Sequence, residues 1–379
     1  MKNKENVLID CSYMAEAWEP SISLAIYGIR LIQGFLQYSQ YQIHVLVWSD
    51  KESIIDNQLG CSIDKIVLDR HDLITRWRPF YKLSGILPKK LKREIRRRNI
   101  SIVINPFHYG VLFFYPHDIK QIAVVHDMFF TEEERSKRER LSFYLWTWYQ
   151  SLLLRKFSRI ISISKITHDE LKQLNHIDSE IVHNSIPLNP AIEEQPVKSV
   201  LGEKYILSIN RFPKSKNAQT LIRAFALLED KVPHILYLKG GRDCEEERVN
   251  LERLVSELKL ENRVIFDIDY RTEGELRYLY SHTDLFVSPS LKEGFGWTPI
   301  EAAISKAPVL VSNIEVFQEV LCGKVPTFNP YSPEDLANHI KDILDNPPSD
   351  SEREELADFY LTHYSLKNQI MQMEAIMKQ

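Results

Sequence analysis

Cysteine is scarce. The four thiols, Cys11, Cys61, Cys244 and Cys322, lie dozens of residues apart with no CxxC pair. That spacing excludes a disulfide framework and a zinc knuckle, and reduced thiols in a cytosol are the expectation. Long apolar runs are also lacking. No stretch approaches the eighteen uninterrupted apolar residues of a membrane span, and the start MKNKENVLID passes from charge into a short apolar run without a signal-type region or cleavage site. Neither export nor a bilayer span is expected. There is no internal repeat and no low-complexity segment, and a composition of 44% hydrophobic and 26% charged residues excludes wholesale disorder. What remains is 379 residues of folding chain, enough for two domains at about 150 residues each.

Charge is unevenly placed. The formal net charge is −4, yet residues 1–190 hold 26 Lys/Arg against 21 Asp/Glu, leaving 22 against 31 for the remainder. Most of the positive excess lies in residues 76–98, where Arg76, Arg78, Lys82, Lys89, Lys90, Lys92, Arg93, Arg96, Arg97 and Arg98 face a single acid, Glu94. If residues 88–99 are helical, Leu87, Leu91 and Ile95 form a core-facing stripe at four-residue spacing and the cations cover the rest. A solvated helix face is one reading; peripheral contact with an anionic membrane or a lipid diphosphate is the other. Nucleic acid fits poorly, because the whole chain is acidic and carries no recognition module.

Apolar, β-branched runs at 6–10, 42–48, 65–68, 100–105, 121–126 and 159–162 alternate with helical patterns, which indicates parallel α/β architecture. The pattern restarts at 205–209, 234–239, 263–268, 285–288 and 309–312. Between the two sets lies NSIPLNPAIEEQPVK, residues 184–198, proline-containing and without helical period, as a domain linker requires. The expected division is 1–188, 189–355 and a C-terminal helix over 356–379 that packs back on the first domain.

In open parallel sheets ligands bind beyond the carboxyl ends of the strands, so the residues just after each strand are the first candidates. After 285–288 comes PSLKEGFGWTPIEAAISKAPVLVS. Gly294 and Gly296 let backbone approach a ligand closely, and Pro299 suits the first turn of a helix whose free N–H groups would face an anion. Glu293 has no evident fold duty in this loop. Glu301 has two readings, a ligand contact or the back half of a capping box begun by Thr298. After 205–209, Arg211 and Lys216 place two cations suited to a diphosphate, with solvated surface charge as the alternative. The turn Lys239-Gly240-Gly241 follows the next strand and suits a phosphate or a base edge. His126 ends a strand in the first half; it reads either as a ligand contact or as part of a chain turn capped by Asp127.

INRFPKSKN, LKGG and EGFGWTPIEA, in that order, resemble the C-terminal domain of the retaining family 4 glycosyltransferases, the glycosyl transferases group 1. The specific element is Glu293, seven residues, then Glu301. In the first half VVHDMFF, ISISKITHDEL and HNSIP look like family landmarks. The resemblance implies a GT-B fold, two Rossmann-like parallel-sheet domains facing each other across a cleft. It implies a retaining, metal-independent transferase that moves a sugar from a nucleotide diphosphate to a lipid-linked saccharide in surface polysaccharide assembly such as O-antigen, capsule or lipopolysaccharide. No cofactor beyond that co-substrate is implied. By motif matching, Arg211 and Lys216 would hold the diphosphate and Glu293 the sugar hydroxyls. Glu301 would bind the ribose. The backbone of Gly294, Phe295, Gly296, Trp297 and Thr298, with Gly240, would line the donor site, and His126 would lie near the sugar.

Departures stand out. The first-strand loop CSYMAEAWEPSISLAIYG lacks the family's glycine pair, Ser185 and Pro187 replace a frequent Asn-Gly turn, and Trp297 and Thr298 stand where smaller apolar residues are common. Asp267 and Asp269 have DxD spacing but end a strand at the base-side loop and read as non-metal. The acceptor side, including Pro106, Phe107, His108 and Tyr109, names no substrate. Arg138, Arg140, Phe143, Trp146, Trp148 and Tyr149 suit membrane, acceptor or core equally. A nucleotide-sugar epimerase and a non-catalytic donor-binding protein remain as alternatives. A cytoplasmic enzyme at the inner face of the membrane is the expectation.

Overall fold

The computed structural model describes residues 5–12, 23–69, 88–108, 113, 115–128, 148–149, 151–242 and 244–379. The chain divides into two units, residues 1–185 with 366–379, and residues 186–365.

Among the described residues of the first unit, seven strands form one sheet: β1 (Asn6–Asp10), β2 (Gln42–Trp48), β3 (Lys65–Leu68), β4 (Ile100–Asn105), β5 (Lys120–Val125), β6 (Arg159–Ser162) and β7 (Glu180–Ile181). Their order is β3-β2-β1-β4-β5-β6-β7, all parallel. The β-branched runs form central strands because both faces are covered: Val7, Leu8 and Ile9 are each fully buried. Helices α1 (Ser23–Tyr38), α2 (Glu52–Leu59), α3 (Lys89–Arg97) and α4 (Lys165–Asn175) occupy the connections. Chain direction across the sheet reverses between β1 and β4, so the crevice of this unit opens after those strands.

The second unit repeats the plan. Strands β8 (Tyr205–Ile209), β9 (Ile235–Lys239), β10 (Val264–Asp267), β11 (Leu285–Ser288), β12 (Val309–Ser312) and β13 (Thr327–Phe328) pair in parallel in the order β10-β9-β8-β11-β12-β13. The reversal here lies between β8 and β11. Around them run α5 (Ala218–Ala226), α6 (Glu245–Glu257), α7 (Glu273–Ser281), α8 (Trp297–Ile304), α9 (Glu315–Val320), α10 (Pro333–Asp345) and α11 (Asp350–His363). The core under α5 and α10 is made of Leu221, Phe225, Leu236, Val287, Leu310, Leu336 and Ile340.

The C-terminal segment departs from the expected single helix over 356–379. It is two helices, α11 and α12 (Leu366–Met377), and they belong to different units, so the division falls at 365/366 rather than 355/356 and at 185/186 rather than 188/189. Tyr360 and Tyr364 hold the end of α11 in the second unit by donating to the carbonyls of Leu321 and Val320 at 2.8 and 2.6 Å. Beyond that stop, α12 lies against α1, with Ser39 donating to Glu374 at 2.6 Å and Lys120 to the Met377 carbonyl at 2.8 Å. At Gly34 the helices meet without room for a side chain, since a Cβ would sit 2.6 Å from Ile370 Cγ1 and 2.8 Å from Leu366 Cδ1. Gly34→Val is expected to lower the unfolding free energy by about 1–3 kcal/mol through overpacking. Urea denaturation checks this; a value at or above the parent's would mean that the contact gives way freely.

Strands β7 and β13, two residues each, have no counterpart in the sequence reading. The predicted helix over 88–99 is α3, and Leu91 and Ile95 are its buried stripe. Leu87, Arg76, Arg78, Lys82, Tyr109, Arg138, Arg140, Phe143 and Trp146, together with the last two residues of VVHDMFF and residues 13–22 of the first-strand loop, lie outside the described residues. Among the described residues no helix is long and apolar enough to cross a membrane.

Candidate functional site

The carboxyl ends of β8 and β11 are neighbours at the reversal point of the second sheet, and each carries part of the site. The β8 loop is shaped by Asn217, which stands in the left-handed region at φ 54° and donates from Nδ2 to the carbonyls of Pro289 and Pro330 at 3.1 and 2.8 Å. Asparagine tolerates this conformation and supplies the donors that fix it. Leu291 N–H donates to the Ser215 carbonyl at 2.8 Å, tying the β11 loop directly to the β8 loop. The hydroxyl of Ser312, at the end of β12, donates to the Ser290 carbonyl.

This stitching brings Lys216 and Glu293 together. The ammonium lies 2.6 Å from Glu293 Oε1, with side-chain exposures of only 16% and 11%. Ser290 donates to the same Oε1 at 2.8 Å. Oε2 has no partner among the described residues. Two groups that the sequence places 77 positions apart are thus a preformed pair with one carboxylate oxygen unspent. Arg211 stands exposed in the same loop, while its neighbour Phe212 turns into the core against Phe266, ring centroids 5.7 Å apart.

The EGFGWTPIEA loop enters α8 two residues earlier than a Thr298 cap would require. Gly296 is the N-cap, at φ 91°, and a Cβ there would meet the Phe317 ring at 2.6 Å, so both backbone and space demand glycine. Thr298 and Pro299 lie inside the first turn, where the missing proline N–H costs nothing. The capping-box alternative for Glu301 is therefore overturned: Glu301 Oε2 accepts from the Tyr280 hydroxyl at 2.9 Å. Burial raises the Glu301 pKa to about 7, with Tyr280 opposing and the Glu273 charge adding to the rise. Phe295 is buried, edge-on to Tyr364 at 5.5 Å, so only its backbone can line the loop. Trp297 carries an indole N–H with no partner among the described residues.

Gly240 has a structural reason of its own. Its Cβ would lie 2.2 Å from the Phe212 ring, and its N–H is engaged by the Asp267 carbonyl at 2.8 Å, so it offers no N–H to a phosphate. Asp267 is bound by Tyr237 Oη at 2.6 Å and Arg271 Nε at 2.8 Å on Oδ2, and by Asp269 N–H at 3.1 Å on Oδ1. Burial would raise its pKa, yet the Arg271 and Tyr237 hydrogen bonds hold it below the usual carboxylate range. Asp269 pairs with Arg242 at 3.2 Å.

In the first unit His126 follows β5 and is buried. Its Nε2–H donates to the Pro106 carbonyl at 2.7 Å, with Tyr27 edge-on at 4.5 Å. That bond fixes the tautomer and leaves Nδ1 as an acceptor. Burial lowers its pKa to about 4, only partly offset by the Pro106 bond, so it is neutral at pH 7. His108, after β4, is likewise pushed down to about 3 by burial and by His126. The Asp10 carboxylate, at the end of β1, accepts from Ser12 N–H at 3.0 Å and Tyr115 Oη at 2.8 Å. Neither the Asp10 cluster nor Tyr280 carried a sequence signal, because Tyr115 lies 105 residues from Asp10 and Glu301 lies 21 from Tyr280.

Glycosyl transferases group 1 is matched over residues 191–358 and Glycosyltransferase Family 4 over residues 26–189, so the two ranges leave one residue between them. The chain is 28% identical over 197 residues to the O-antigen chain mannosyltransferase RfbU of Salmonella typhimurium, covering 51% of this chain and 53% of that one. It is 29% identical over 252 residues to the O-antigen chain mannosyltransferase B of Escherichia coli, covering 62% and 65%. The matches span about half to just under two thirds of these relatives' length. Among solved structures, Anabaena Alr3699/HepE in complex with UDP and glucose superposes with a TM-score of 0.71 at 14% identity over 99% of both chains. The sucrose-phosphate synthase of Thermosynechococcus elongatus gives 0.71 at 17%, again over 99% of both. Both share the two-domain parallel-sheet fold.

Proposed function

Because the chain belongs to the family 4 glycosyltransferases of GT-B fold, we propose that it transfers a sugar, with retention of configuration, from a nucleotide diphosphate to a saccharide acceptor in surface polysaccharide assembly. The observation that carries the reading is the Lys216–Glu293 pair at the reversal point of the second sheet, where α/β sheets bind ligands. Arg211 and Lys216 offset the charge growing on the departing diphosphate, and the free Oε2 of Glu293 accepts from donor-sugar hydroxyls. The acceptor hydroxyl oxygen bonds to the anomeric carbon as the carbon–oxygen bond to phosphate breaks. The electron pair stays on the phosphate, whose oxygen takes the hydroxyl proton on the same face. Neutral His126 acts as hydrogen-bond acceptor through Nδ1 rather than as a cation. The engagement of both Asp267 oxygens by Tyr237, Arg271 and Asp269 supports metal-independent transfer. The reading places the enzyme in the cytoplasm with a lipid-linked acceptor. Mannose is the first sugar to try, because both relatives are named mannosyltransferases.

Thermal-shift screening with nucleoside diphosphates and their sugar conjugates tests the donor site, since a ligand of the native state raises stability as ln(1 + [L]/Kd). A shift with one nucleotide, lost in Arg211→Ala, is expected; no shift with any would remove the donor-site reading. Conversion of donor without acceptor would indicate an epimerase instead.

Glu301 adds a pH prediction. Its carboxylate accepts ribose hydroxyls, and with a free-state pKa of about 7 it is half protonated there. Binding selects the ionised form, so nucleotide-sugar affinity is expected to fall as pH drops, by about tenfold between pH 8 and 6. Calorimetry at both values checks it, with Glu301→Gln expected to be flat. A parent titration as flat as the variant's would detach Glu301 from the ribose.

A further inference from the structure

Helix α3 carries more positive charge than its ion pairs use. Its buried side is Leu91 and Ile95, closed by Arg98, which turns back to donate to Asp64 at 3.0 Å and to Glu94. At 100° per residue the opposite side is an arc of about 140° holding positions 89, 92, 93, 96 and 97. Every one of these is exposed and cationic: Lys89, Lys92, Arg93, Arg96 and Arg97. The helix's one acid, Glu94, is only 16% exposed and held by Arg97 at 2.8 Å and by Arg98. Lys89, Lys92 and Arg96 form no ion pair among the described residues.

Arg96 and Arg97 suit the C-terminal end of the helix dipole and Arg97 pairs with Glu94, but stability does not account for the rest of this arrangement. Like charges meet at every i,i+3 and i,i+4 spacing on the arc, and each such contact works against the helix. The first turn has no acidic residue and its cap, Pro88, contributes no side-chain bond, so Lys89 stands at the positive end of the dipole. The outer face of α3 holds no apolar or aromatic side chain, so this helix has nothing to insert into hydrocarbon. A convex stripe of five cations on a chain of net charge −4 fits a flat anionic surface that touches this face alone.

We propose that the outward face of α3 docks the protein, without insertion, on an anionic phospholipid bilayer. The docking is electrostatic, so each cation contributes about fivefold in partitioning and ionic strength releases the protein. It is independent of the transfer reaction.

The test is co-sedimentation of the full chain with vesicles of phosphatidylcholine alone or with about a third phosphatidylglycerol, a composition that gives a strongly negative surface. Binding to the anionic vesicles only, lost in high salt, is expected. The triple variant Lys92→Gln, Arg93→Gln, Arg96→Gln should lose about 10²-fold in partitioning. A control of equal charge change on the second unit, Lys204→Gln, Lys231→Gln, Lys259→Gln, should bind like the parent. Removing mutual repulsion leaves thermal stability equal or higher, so misfolding is recognisable in a melting curve, and nucleotide-induced thermal shifts should persist in both variants. Equal binding to neutral vesicles, no binding to anionic ones, equal losses in both triple variants, or RNA binding in preference to vesicles would each overturn the proposal. Loss of nucleotide shifts with vesicle binding intact would count against the donor site and leave the docking standing.

Discussion

Glu293→Ala and Lys216→Ala are each expected to lower turnover by about 10²-fold or more, which is about 3 kcal/mol of transition-state stabilisation or more. The two side chains form one partly buried ion pair, 2.6 Å apart, so removing either leaves the other without its counter-charge in a place of low exposure. Glu293 would then lose the group that aims Oε2 at the sugar, and Lys216 would lose the group that keeps it beside the diphosphate path. Because the pair acts as a unit, the double variant is expected to lose less than the product of the single losses. Glu293→Gln keeps the Ser290 contact but not the charge, and should fall between parent and Ala. Steady-state rates with circular dichroism on the same samples decide it. Near-parent turnover in a folded Glu293→Ala would remove this pair from the reaction.

The strand pattern was legible because both sheets are parallel and buried on both faces, so each long strand is a β-branched run of its own. The order of the site loops followed from where those runs end. Four features were not legible, each for a physical reason. Strands β7 and β13 are too short for any period. The stop between α11 and α12 uses neither Gly nor Pro; it is imposed by Tyr360 and Tyr364 bonding to the α9 end, contacts made across about 40 residues. The start of α8 was not legible because TPIE also spells a capping box, whereas the fold places Gly296 against Phe317 and gives Glu301 to Tyr280. Gly240 read as a phosphate turn, yet Phe212 packs over it and the sheet takes its N–H. In the last three cases tertiary contact outweighed the local signal.

Asp267→Ala should be the most destabilising of these changes, by about 3–5 kcal/mol at pH 7, through the charges it leaves behind rather than the contacts it removes. The carboxylate is nearly inaccessible, with its ion-pair partner Arg271 at 20% exposure and Lys239 buried beside it. Burial already lowers the Lys239 pKa, with the Asp267 charge as the first influence holding its proton on. Without Asp267 the ammonium must either stay charged among Gly240 and Asp267 backbone carbonyls or release its proton, and either way costs stability. The pH dependence follows from the sign of the shift. The Asp267 pKa is depressed in the folded state, so its contribution is complete above the unfolded value of about 4 and is lost as pH falls through the lower folded value. Urea titrations should therefore show the gap between parent and variant closing in acid below about pH 4 and constant from pH 5 to 7. The same residue separates two views of the DxD-spaced pair. Asp267 as a structural anchor predicts that whatever activity the folded variant retains, and all of the parent's, is insensitive to EDTA. Asp267 as a metal ligand requires chelation to abolish the parent's turnover, and that result would also withdraw the cationic role given to Arg211 and Lys216.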